Sequence, residues 1–561
     1  MSRGEHKAFR SEATPLMRMH TLTCFFSNWL WIYLNTAQYH RFLRTLDQVD
    51  EVQCRYLLRL LRYNAKTKYG IRHNFMDISS VKEYQQAVPI TEYEDYSHYI
   101  EEIAQGETRV LTQDPVLLFE PSSGTSSGSK LIPYTGSLKM EFQRGIAPWV
   151  VSLFKRKPEL LRGSAYWSIS PPIVRQRYHG RMPVGFNDDA EYLGFIGRWL
   201  HAQVTAVPQE VANLTDVDAF RRQTLVYLLA AEDLAMISVW SPTFLSLLLT
   251  QLINNQDEIL WLLGRSGLFA AVKRAEMVKS IMQQEQGDSL FEHIWPNLAV
   301  ISCWTHGSSE PYVKEIHKYF PDVEIQGKGL VSTEAFVSLP LLPDRDPILA
   351  VDSHFFEFRD IESGGIHLAH ELKEGEVYSV IVTTGGGLYR YRLGDLIKVT
   401  GFFGKTPTLR FVAKEGAISD LFGEKLHADH VQRSAADVFS ACSIKPSFFL
   451  LAPVNNGTNT VAYSLFLDTA GITVEQAKFL RDTLEERLCE NFHYAHCRNV
   501  GQLGALLLFL IDRASGAPED IFIREMQRRG LKLGNVKPVI LDREMGWEQR
   551  FPGRFVDAAD I

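Results

Sequence analysis

The sequence predicts an α/β protein in which a large N-terminal domain of sheets covered by helices precedes a small α/β domain. Three observations predict this fold class. The first 110 residues show apolar positions at helical spacing. Residues 115–415 alternate β-rich runs with amphipathic stretches, and the sequence pattern changes near residue 415. We therefore expect an N-terminal domain over residues 1–415 and a C-terminal domain over residues 416–561.

The elements of the N-terminal domain follow from local patterns. RYLLRLLRYNA and SVKEYQQAV have the three-to-four apolar spacing of helices, and Pro89 ends the second of them. A further helix is predicted around residues 244–253. Strands are predicted from β-rich runs at residues 165–170, 298–304, 322–326 and 377–384.

The region after residue 415 has its own order of elements. We predict a helix at about residues 427–441, then FFLLAPV and VAYSLFLD around the turn signal Asn455-Asn456-Gly457. A helix with Ala477, Leu480, Leu484 and Leu488 on one face follows, and then the strand ALLLFLID and the helix PEDIFIREMQRRG. An α-β-β-α-β-α order of this length can form a small separate domain.

Composition narrows the class of protein. The chain has 561 residues with 66 acidic and 59 basic ones, a net charge of −7, and 45% hydrophobic and 22% charged residues. These values indicate a soluble globular enzyme and argue against disorder, a fibrous repeat or a basic nucleic-acid binder, so we expect no nucleic-acid partner. The six cysteines show no metal-type spacing and predict reduced thiols, so we expect a cytoplasmic protein.

One apolar segment, residues 22–34, raises the question of a membrane. It is interrupted by Ser27 and Asn28 and falls short of the roughly 20 apolar residues of a spanning helix. The residues that follow it, NTAQYHRF, do not resemble a signal-peptide cleavage site. We favour a packed helix over an export signal or an interfacial anchor, and we expect no membrane partner.

The strongest local signal is a run of small hydroxyl residues and glycines, SSGTSSGSK at residues 122–130, directly after the apolar VLLFE. Small residues allow a tight turn, and hydroxyl and backbone N–H groups can surround phosphate oxygens. The spacing is not that of a Walker A loop. We favour a phosphate-binding loop over a Ser/Gly linker.

Two further glycine-containing segments are ambiguous when taken alone. GKGLVSTE ends at Glu334, which by itself fits a surface carboxylate. GLYRYRLGD ends at Asp395, which fits either a carboxylate that grips the two hydroxyls of a ribose or a simple hairpin turn.

The order and spacing of these three segments resemble the adenylate-forming enzyme superfamily. The strings VPITEYEDYSHYIEEIAQGE, SSGTSSGSKLIPYT, HFFEF, GGGLYRYRLGD and GEKL narrow the resemblance to the Gretchen Hagen family of auxin-responsive acyl-acid amido synthetases, in its bacterial-type form. The similarity runs from about residue 55 to the C-terminus.

The resemblance implies a two-step ATP- and Mg²⁺-dependent ligase. A carboxylic acid is first converted to an acyl-adenylate, and an amine, usually an amino acid, then takes the acyl group and releases AMP. By motif, Thr333 would contact the α-phosphate, Glu334 would hold Mg²⁺ and Asp395 would bind the ribose. The β- and γ-phosphates would be held by Ser122, Ser123, Gly124, Thr125 and Ser126.

Two further positions come from the resemblance. Gly307 opens a loop that the family places against the adenine. Lys537, in LGNVKPVIL, fits the catalytic lysine that the family's small C-terminal domain swings over the site during adenylation. An ammonium group on a flexible stem suits a leaving phosphate.

The sequence departs from the family at three places. Leu330 stands where a tyrosine is usual, Lys414 stands where an arginine is expected beside the ribose, and the catalytic loop reads NVKPV. These departures leave two alternatives open: transfer to the thiol of coenzyme A or of a carrier protein, and a non-catalytic nucleotide-binding homologue. The acid is not indicated; we expect its pocket between about residues 165 and 245, near Tyr166, Trp167 and Trp240.

Overall fold

A computed structural model describes most of the chain. The described residues are 15–122, 130–168, 178–185, 194–214, 216–284, 290–415, 418–419, 421–455, 461–469, 471–513, 516–529, 531, 536–537 and 539–556. The helices in chain order are α1 (Pro15–Thr45), α2 (Val49–Asn64), α3 (Lys68–Arg72), α4 (Val81–Ala87), α5 (Tyr93–Ala104), α6 (Gly136–Arg156), α7 (Gly194–Val204), α8 (Val217–Ala230), α9 (Pro242–Asn254), α10 (Gln256–Arg265), α11 (Ala271–Gln284), α12 (Leu290–Ile294), α13 (Glu310–Tyr319), α14 (Ala428–Ala441), α15 (Val474–Leu488), α16 (Phe492–Asn499), α17 (Pro518–Arg528) and α18 (Trp547–Arg550).

The strands belong to three larger sheets and three two-stranded ones. In chain order they are β1 (Val116–Ser122), β2 (Lys130–Thr135), β3 (Ser164–Trp167), β4 (Tyr178–His179), β5 (Met182–Pro183), β6 (Leu234–Ser238), β7 (Val300–Cys303), β8 (Glu324–Gly327), β9 (Ser338–Leu339), β10 (Ile348–Leu349), β11 (Phe355–Asp360), β12 (Ile366–Leu368), β13 (Val377–Thr383), β14 (Tyr391–Phe403), β15 (Thr406–Lys414), β16 (Ile418–Ser419), β17 (Leu426–His427), β18 (Phe448–Asn455), β19 (Val461–Asp468), β20 (Leu507–Ile511) and β21 (Gly553–Phe555).

The largest sheet has seven strands in the order β12-β11-β13-β14-β15-β10-β9, all of them antiparallel to their neighbours. The helical N-terminal part of the chain packs against it. Gln53 of α2 donates from Nε2 to the carbonyls of Val351 and His354, and its Oε1 accepts from the N–H of Phe356. Because both Nε2 and Oε1 of this buried side chain are hydrogen-bonded, Gln53 fixes α2 against β11.

A second sheet is parallel, in the order β3-β6-β7-β8. Helices such as α9 and α13 lie between its strands in sequence, as expected for crossover connections that cover a parallel sheet. The central strands read as continuous apolar runs, and every residue of β6 and of β7 is buried. The carboxyl ends of all four strands therefore meet at one edge.

The C-terminal sheet, β18-β19-β20-β21, is built from residues after the predicted boundary. Its hydrophobic side chains do not form a separate core on both faces: Phe448, Phe509 and Trp547 belong to the same buried cluster as Phe244 and Ile301. An ion pair of 2.8 Å between Arg221 Nη1 and Asp520 Oδ1 joins α8 to α17. The C-terminal segment thus packs directly against the region of the parallel sheet.

The segment at residues 22–34 lies inside α1, which packs along α6. Asn28 donates from Nδ2 to the carbonyls of Leu160 and Leu161, and the Trp31 ring makes edge contacts with Phe154 and Trp167. The prediction of a packed helix is confirmed. Among the described helices, none is both long and apolar enough to cross a membrane.

Most predicted elements are present. The predicted strands correspond to β3, β7, β8 and β13, and the predicted helices at 244–253 and 427–441 to α9 and α14. The strand predicted over 165–170 ends at Trp167 within the described residues. The short elements α16, α18 and β21 are among those that were not predicted, because segments of three to eight residues carry too little periodicity.

Candidate active site

The carboxyl edge of the parallel sheet forms one wall of the site. Trp240 follows β6 and Trp304 follows β7, and their ring centroids lie 5.8 Å apart. The N–H of Trp304 donates to the carbonyl of Trp240 at 2.9 Å. Ligands of open α/β sheets bind at this edge, because strand ends and loops converge there.

The long antiparallel pair β14–β15 supplies a second wall. The strand register places Asp395 directly opposite Lys414, and Lys414 Nζ lies 3.0 Å from Asp395 Oδ1. The Asp395 side chain is buried. Desolvation lowers the pKa of Lys414, but the negative charges of Asp395 and Glu334 outweigh it and raise the pKa above its ordinary value. Lys414 is therefore charged at neutral pH.

Thr333 and Glu334 lie at the tip of a tight turn after β8. A bridge between Val331 and Phe336 closes the turn, and the N–H of Ser332 donates to the carbonyl of Ala335 at 3.0 Å. Glu334 is buried despite its charge. Its effect on the pKa of Lys414 places its carboxylate close to the Asp395–Lys414 pair.

A buried polar network holds this turn. His354 Nε2 accepts a hydrogen bond of 3.0 Å from the N–H of Phe336, and its Nδ1 lies 3.0 Å from Glu141 Oε2. Glu141 also accepts from the hydroxyl of Tyr56 and from the N–H of Gly385 at 2.9 Å. Because one network reaches both Phe336 and Gly385, it links the turn of Glu334 to the glycine turn that precedes β14.

Lys537 reaches this cluster from the C-terminal segment. Its Nζ lies 4.4 Å from the centroid of the Trp304 ring and 5.5 Å from that of Phe411. Burial lowers the pKa of Lys537 to about 8; the charge of Lys414 adds to this lowering, while Asp395 and Glu334 oppose it. Two carboxylates and two ammonium groups thus converge from four separate segments.

Gly307 begins a short 3-10 turn and has a φ of +63°. A Cβ at this position would lie 3.2 Å from the Phe411 ring and 3.3 Å from the carbonyl oxygen of Val412. Both features favour glycine. The structure therefore brings the Gly307 loop against β15, next to the ring that contacts Lys537.

The small-residue loop is described only at its two ends. Ser122 ends β1 and pairs with Lys130 at the start of β2, so the run closes a hairpin. Ser123, Gly124, Thr125 and Ser126 lie outside the described residues. The root of the hairpin is tied to the site, because the N–H of Leu131 donates to Tyr93 OH and Thr135 Oγ1 donates to the carbonyl of Gly385.

The residues named for the acyl pocket separate into two groups. Tyr166 is fully buried in the hydrophobic core. Trp167 and Trp240 surround the ammonium group of Lys328, at 6.0 and 4.9 Å from their ring centroids, and Lys328 Nζ donates to Ser238 Oγ at 2.6 Å. The other position that departs from the family, Leu330, is a buried core residue.

Sequence reasoning did not identify Trp304, Phe411 or Lys328 as site residues. Trp304 and Lys328 each follow a strand of the parallel sheet, so a search of strand ends would have found them. Phe411 gives no such signal, because it is an ordinary aromatic residue inside β15.

Comparison with known proteins agrees with this architecture. The chain is 23% identical over 472 residues to indole-3-acetic acid-amido synthetase GH3.4 of Arabidopsis thaliana, which covers 75% of each chain. It is 25% identical over 508 residues to jasmonoyl–L-amino acid synthetase JAR4 of Nicotiana attenuata, covering 83% of this chain and 87% of that one. The structure of the acyl acid amido synthetase AtGH3.15 in complex with 2,4-DB superposes with a TM-score of 0.77 at 18% identity, covering 91% of this chain and 94% of that chain.

The family assignment comes from the domains. Residues 38–325 match the GH3 family N-terminal domain, and residues 347–414 match the GH3 family central domain. The second range contains the motif of Asp395 and the strand that ends at Lys414. The chain belongs to the GH3 family.

Proposed function

We propose that this protein is an ATP-dependent acyl-acid amido synthetase. The observation that carries the proposal is the convergence of Asp395, Lys414, Glu334 and Lys537, residues from separate segments, at one polar cluster beside the carboxyl edge of a parallel sheet. Two relatives are named as synthetases that join indole-3-acetic acid or jasmonic acid to an amine, which supports the same class of reaction here.

The proposed reaction has two steps. A carboxylate oxygen of the acid attacks the α-phosphorus of ATP; the new P–O bond forms as the bond to the bridging oxygen breaks, and pyrophosphate leaves with that electron pair. The nitrogen of an amino acid then attacks the acyl carbon. The C–N bond forms, AMP leaves, and the amine loses a proton to solvent.

The residues of the cluster and its neighbouring loops bind different parts of the nucleotide. Asp395 binds the ribose hydroxyls by accepting their hydrogen bonds, and Lys414 Nζ, 3.0 Å from Asp395 Oδ1, holds this buried side chain in place. Thr333 contacts the α-phosphate from the turn it shares with Glu334. The loop that starts at Ser122 holds the β- and γ-phosphates, since its hairpin is anchored beside the same glycine turn.

The donor set also suits a divalent cation. Glu334 offers carboxylate oxygens in a buried position, and oxygen ligands of this kind are those that Mg²⁺ binds. When bound, Mg²⁺ neutralises charge on the phosphate oxygens. Lys537 adds a positive charge, and its Nζ lies 4.4 Å from the centroid of the Trp304 ring.

We place Lys537 in a mobile C-terminal domain, residues 416–561, which swings between the two steps. The strands β18–β21 pair with one another, and residues of this segment such as Leu451, Leu480 and Leu508 form a hydrophobic cluster of their own, which supports such a division. The unpaired cysteines and the use of ATP support a cytoplasmic location.

The test is a pyrophosphate-release screen over a library of carboxylic acids, followed by mass spectrometry of the amides formed with mixed amino acids. Release that depends on one class of acid, and that collapses in Glu334→Gln, supports the proposal. Unchanged pyrophosphate release in Glu334→Gln would exclude it. In a single-turnover assay with preformed acyl-adenylate, transfer to coenzyme A but not to amines would reassign the second step.

A further inference from the structure

Helix α1 presents a second apolar face that the other described residues of the chain leave exposed. Met19, Leu22, Phe26, Trp29 and Tyr33 are between 50 and 65% exposed. They recur at alternating spacings of three and four residues, so they form one stripe along the helix. The rings of Trp29 and Tyr33 stack with centroids 5.5 Å apart. Isolated exposed apolar residues are common, but an aligned stripe of this size indicates a binding surface.

The neighbouring helix α7 extends the surface. It packs along α1, and its Trp199 is 57% exposed, with Arg198 exposed beside it in sequence. The two helices together therefore expose two tryptophans, a tyrosine and a phenylalanine. Tryptophan and tyrosine are the residues enriched at the level of lipid headgroups, where one end of the ring is apolar and the other polar.

The charge of this surface differs from that of the whole protein. Neither α1 nor α7 contains an aspartate or a glutamate, although the chain has 66 acidic residues and a net charge of −7. Arg41 and Arg44 are exposed near the end of α1. Aromatic residues combined with basic ones, and without acidic ones, complement an anionic bilayer surface.

The same stripe fits a second copy of the chain less well. A coiled-coil partner is set by charged residues that flank the apolar seam. Here the flanking positions include Leu30 and Ile32, which are partly buried against the core of the same chain and carry no charge. The basic ends of two such helices would also repel each other if the helices paired in parallel.

We propose that α1 and α7 form a docking surface for an anionic lipid bilayer. The stripe of α1 and the ring of Trp199 enter the headgroup region, and the exposed Arg44 near the end of α1 faces lipid phosphates. The helix lies on the membrane and does not cross it, because its other face is buried against α6. One face of α1 is thus a packed helix surface, and the other is an interfacial anchor.

The experiment is vesicle flotation of the full-length protein. Vesicles of phosphatidylcholine with and without phosphatidylglycerol are compared for wild type and for the double variant Phe26→Ser/Trp29→Ser. We expect binding to the anionic vesicles, with at least about a tenfold smaller bound fraction for the variant, since interfacial binding scales with buried apolar area and attraction to anionic lipid. Added salt is expected to reduce binding of the wild type.

A matched control is Phe479→Ser/Phe492→Ser, which removes two exposed rings from α15 and α16. This control is expected to float like wild type, and both double variants are expected to keep the wild-type unfolding midpoint and rate of pyrophosphate release. No flotation of wild type, equal loss in the control, or equal binding to uncharged vesicles would overturn the proposal. A wild-type dimer in lipid-free light scattering that becomes monomeric in Phe26→Ser/Trp29→Ser would overturn it in favour of a second copy.

Discussion

Arg390 and Asp395 lie in the same GGGLYRYRLGD motif, and each forms an ion pair: both side chains of the Arg390–Glu357 pair are buried, whereas buried Asp395 pairs with the half-exposed Lys414. Arg390 binds Glu357 with two hydrogen bonds, from Nε at 2.9 Å and from Nη2 at 3.0 Å, and its Nη1 donates to the carbonyls of Gln85 and Val88. Asp395 pairs with Lys414 and shares its surroundings with Glu334 and Lys537.

The two ion pairs differ in whether the surrounding protein supplies all the partners of the charged groups. Because the protein itself supplies all of these hydrogen-bond partners of Arg390, the Arg390–Glu357 pair connects the loop before β14 to α4 and β11. The cluster at Asp395 holds several charges that influence one another, with pKa values displaced in opposite directions for Lys414 and Lys537. A closed pair of this kind stabilises the fold, whereas a cluster of displaced charges is typical of a site that binds a charged ligand.

The largest expected effect is on stability. Arg390→Met leaves Glu357 buried without its charged partner, which is expected to cost about 3–5 kcal/mol in the free energy of unfolding. Arg392→Met removes the partner of exposed Glu92 and is expected to cost about 0–1 kcal/mol. Urea denaturation of both variants measures the difference. Equal losses of unfolding free energy in the two variants would show that the Arg390–Glu357 pair contributes no more to stability than an exposed pair.

Asp395→Asn tests the other half of the comparison. We expect acid-dependent pyrophosphate release to fall by about 10²–10³-fold, because a neutral amide binds ribose hydroxyls less strongly and leaves Lys414 unbalanced beside the nucleotide. The control is Glu92→Gln, which alters an exposed carboxylate. Normal release by Asp395→Asn, with wild-type stability, would contradict the assigned role.

Lys537→Ala removes the charge that the C-terminal segment brings to the cluster. We expect pyrophosphate release to fall by about tenfold to a hundredfold, since one positive charge near a leaving phosphate is lost. Amide formation from preformed acyl-adenylate is expected to change far less. Lys478→Ala, an exposed lysine of α15, is the control. Unchanged pyrophosphate release in Lys537→Ala would place Lys537 outside the adenylation step, and an equal loss in both steps would show that its role is not confined to adenylation.

The pH profile follows from the same residue. Because the pKa of Lys537 is about 8, its ammonium is present below pH 8 and is lost as the pH rises through 8. The value of kcat/KM for ATP reports ionisations of the free enzyme, so it is expected to halve near pH 8. Lys537→Arg keeps its charge and is expected to lose this alkaline decline. An unchanged decline in Lys537→Arg would assign it to another group.

The smallest expected effect concerns the departure from the family at Lys414. Its raised pKa means that the lysine is charged at neutral pH, as an arginine would be. Lys414→Arg is therefore expected to change kcat/KM by less than about threefold, with differences due to the shape of the guanidinium group. Lys414→Met, which leaves Asp395 unpaired, is expected to show a much larger loss. Steady-state kinetics of Lys414→Arg and Lys414→Met measure these two changes in kcat/KM.

Much of the secondary structure could be predicted, because long elements carry clear periodicity. The helical beginning of the chain, the strands β7, β8 and β13 and the helix α15 with Ala477, Leu480, Leu484 and Leu488 on its buried face were all predicted. The burial of Tyr166 in the hydrophobic core could not be predicted from the sequence. An aromatic residue in a short strand looks the same in sequence whether its face turns toward the core or toward a ligand.

The sequence by itself determined the fold class, the family and the residue types of the site, since these depend on periodicity and on short motifs within single segments. The tertiary structure decided which of those residues meet. Strand register alone places Asp395 opposite Lys414, and the shared core around Phe448 and Trp547 brings the C-terminal segment, with Lys537, over Trp304. Such meetings depend on packing between distant segments, which no local pattern encodes. The exposure of the α1 stripe was decided in the same way, because only the packed structure shows which of its two apolar faces is buried.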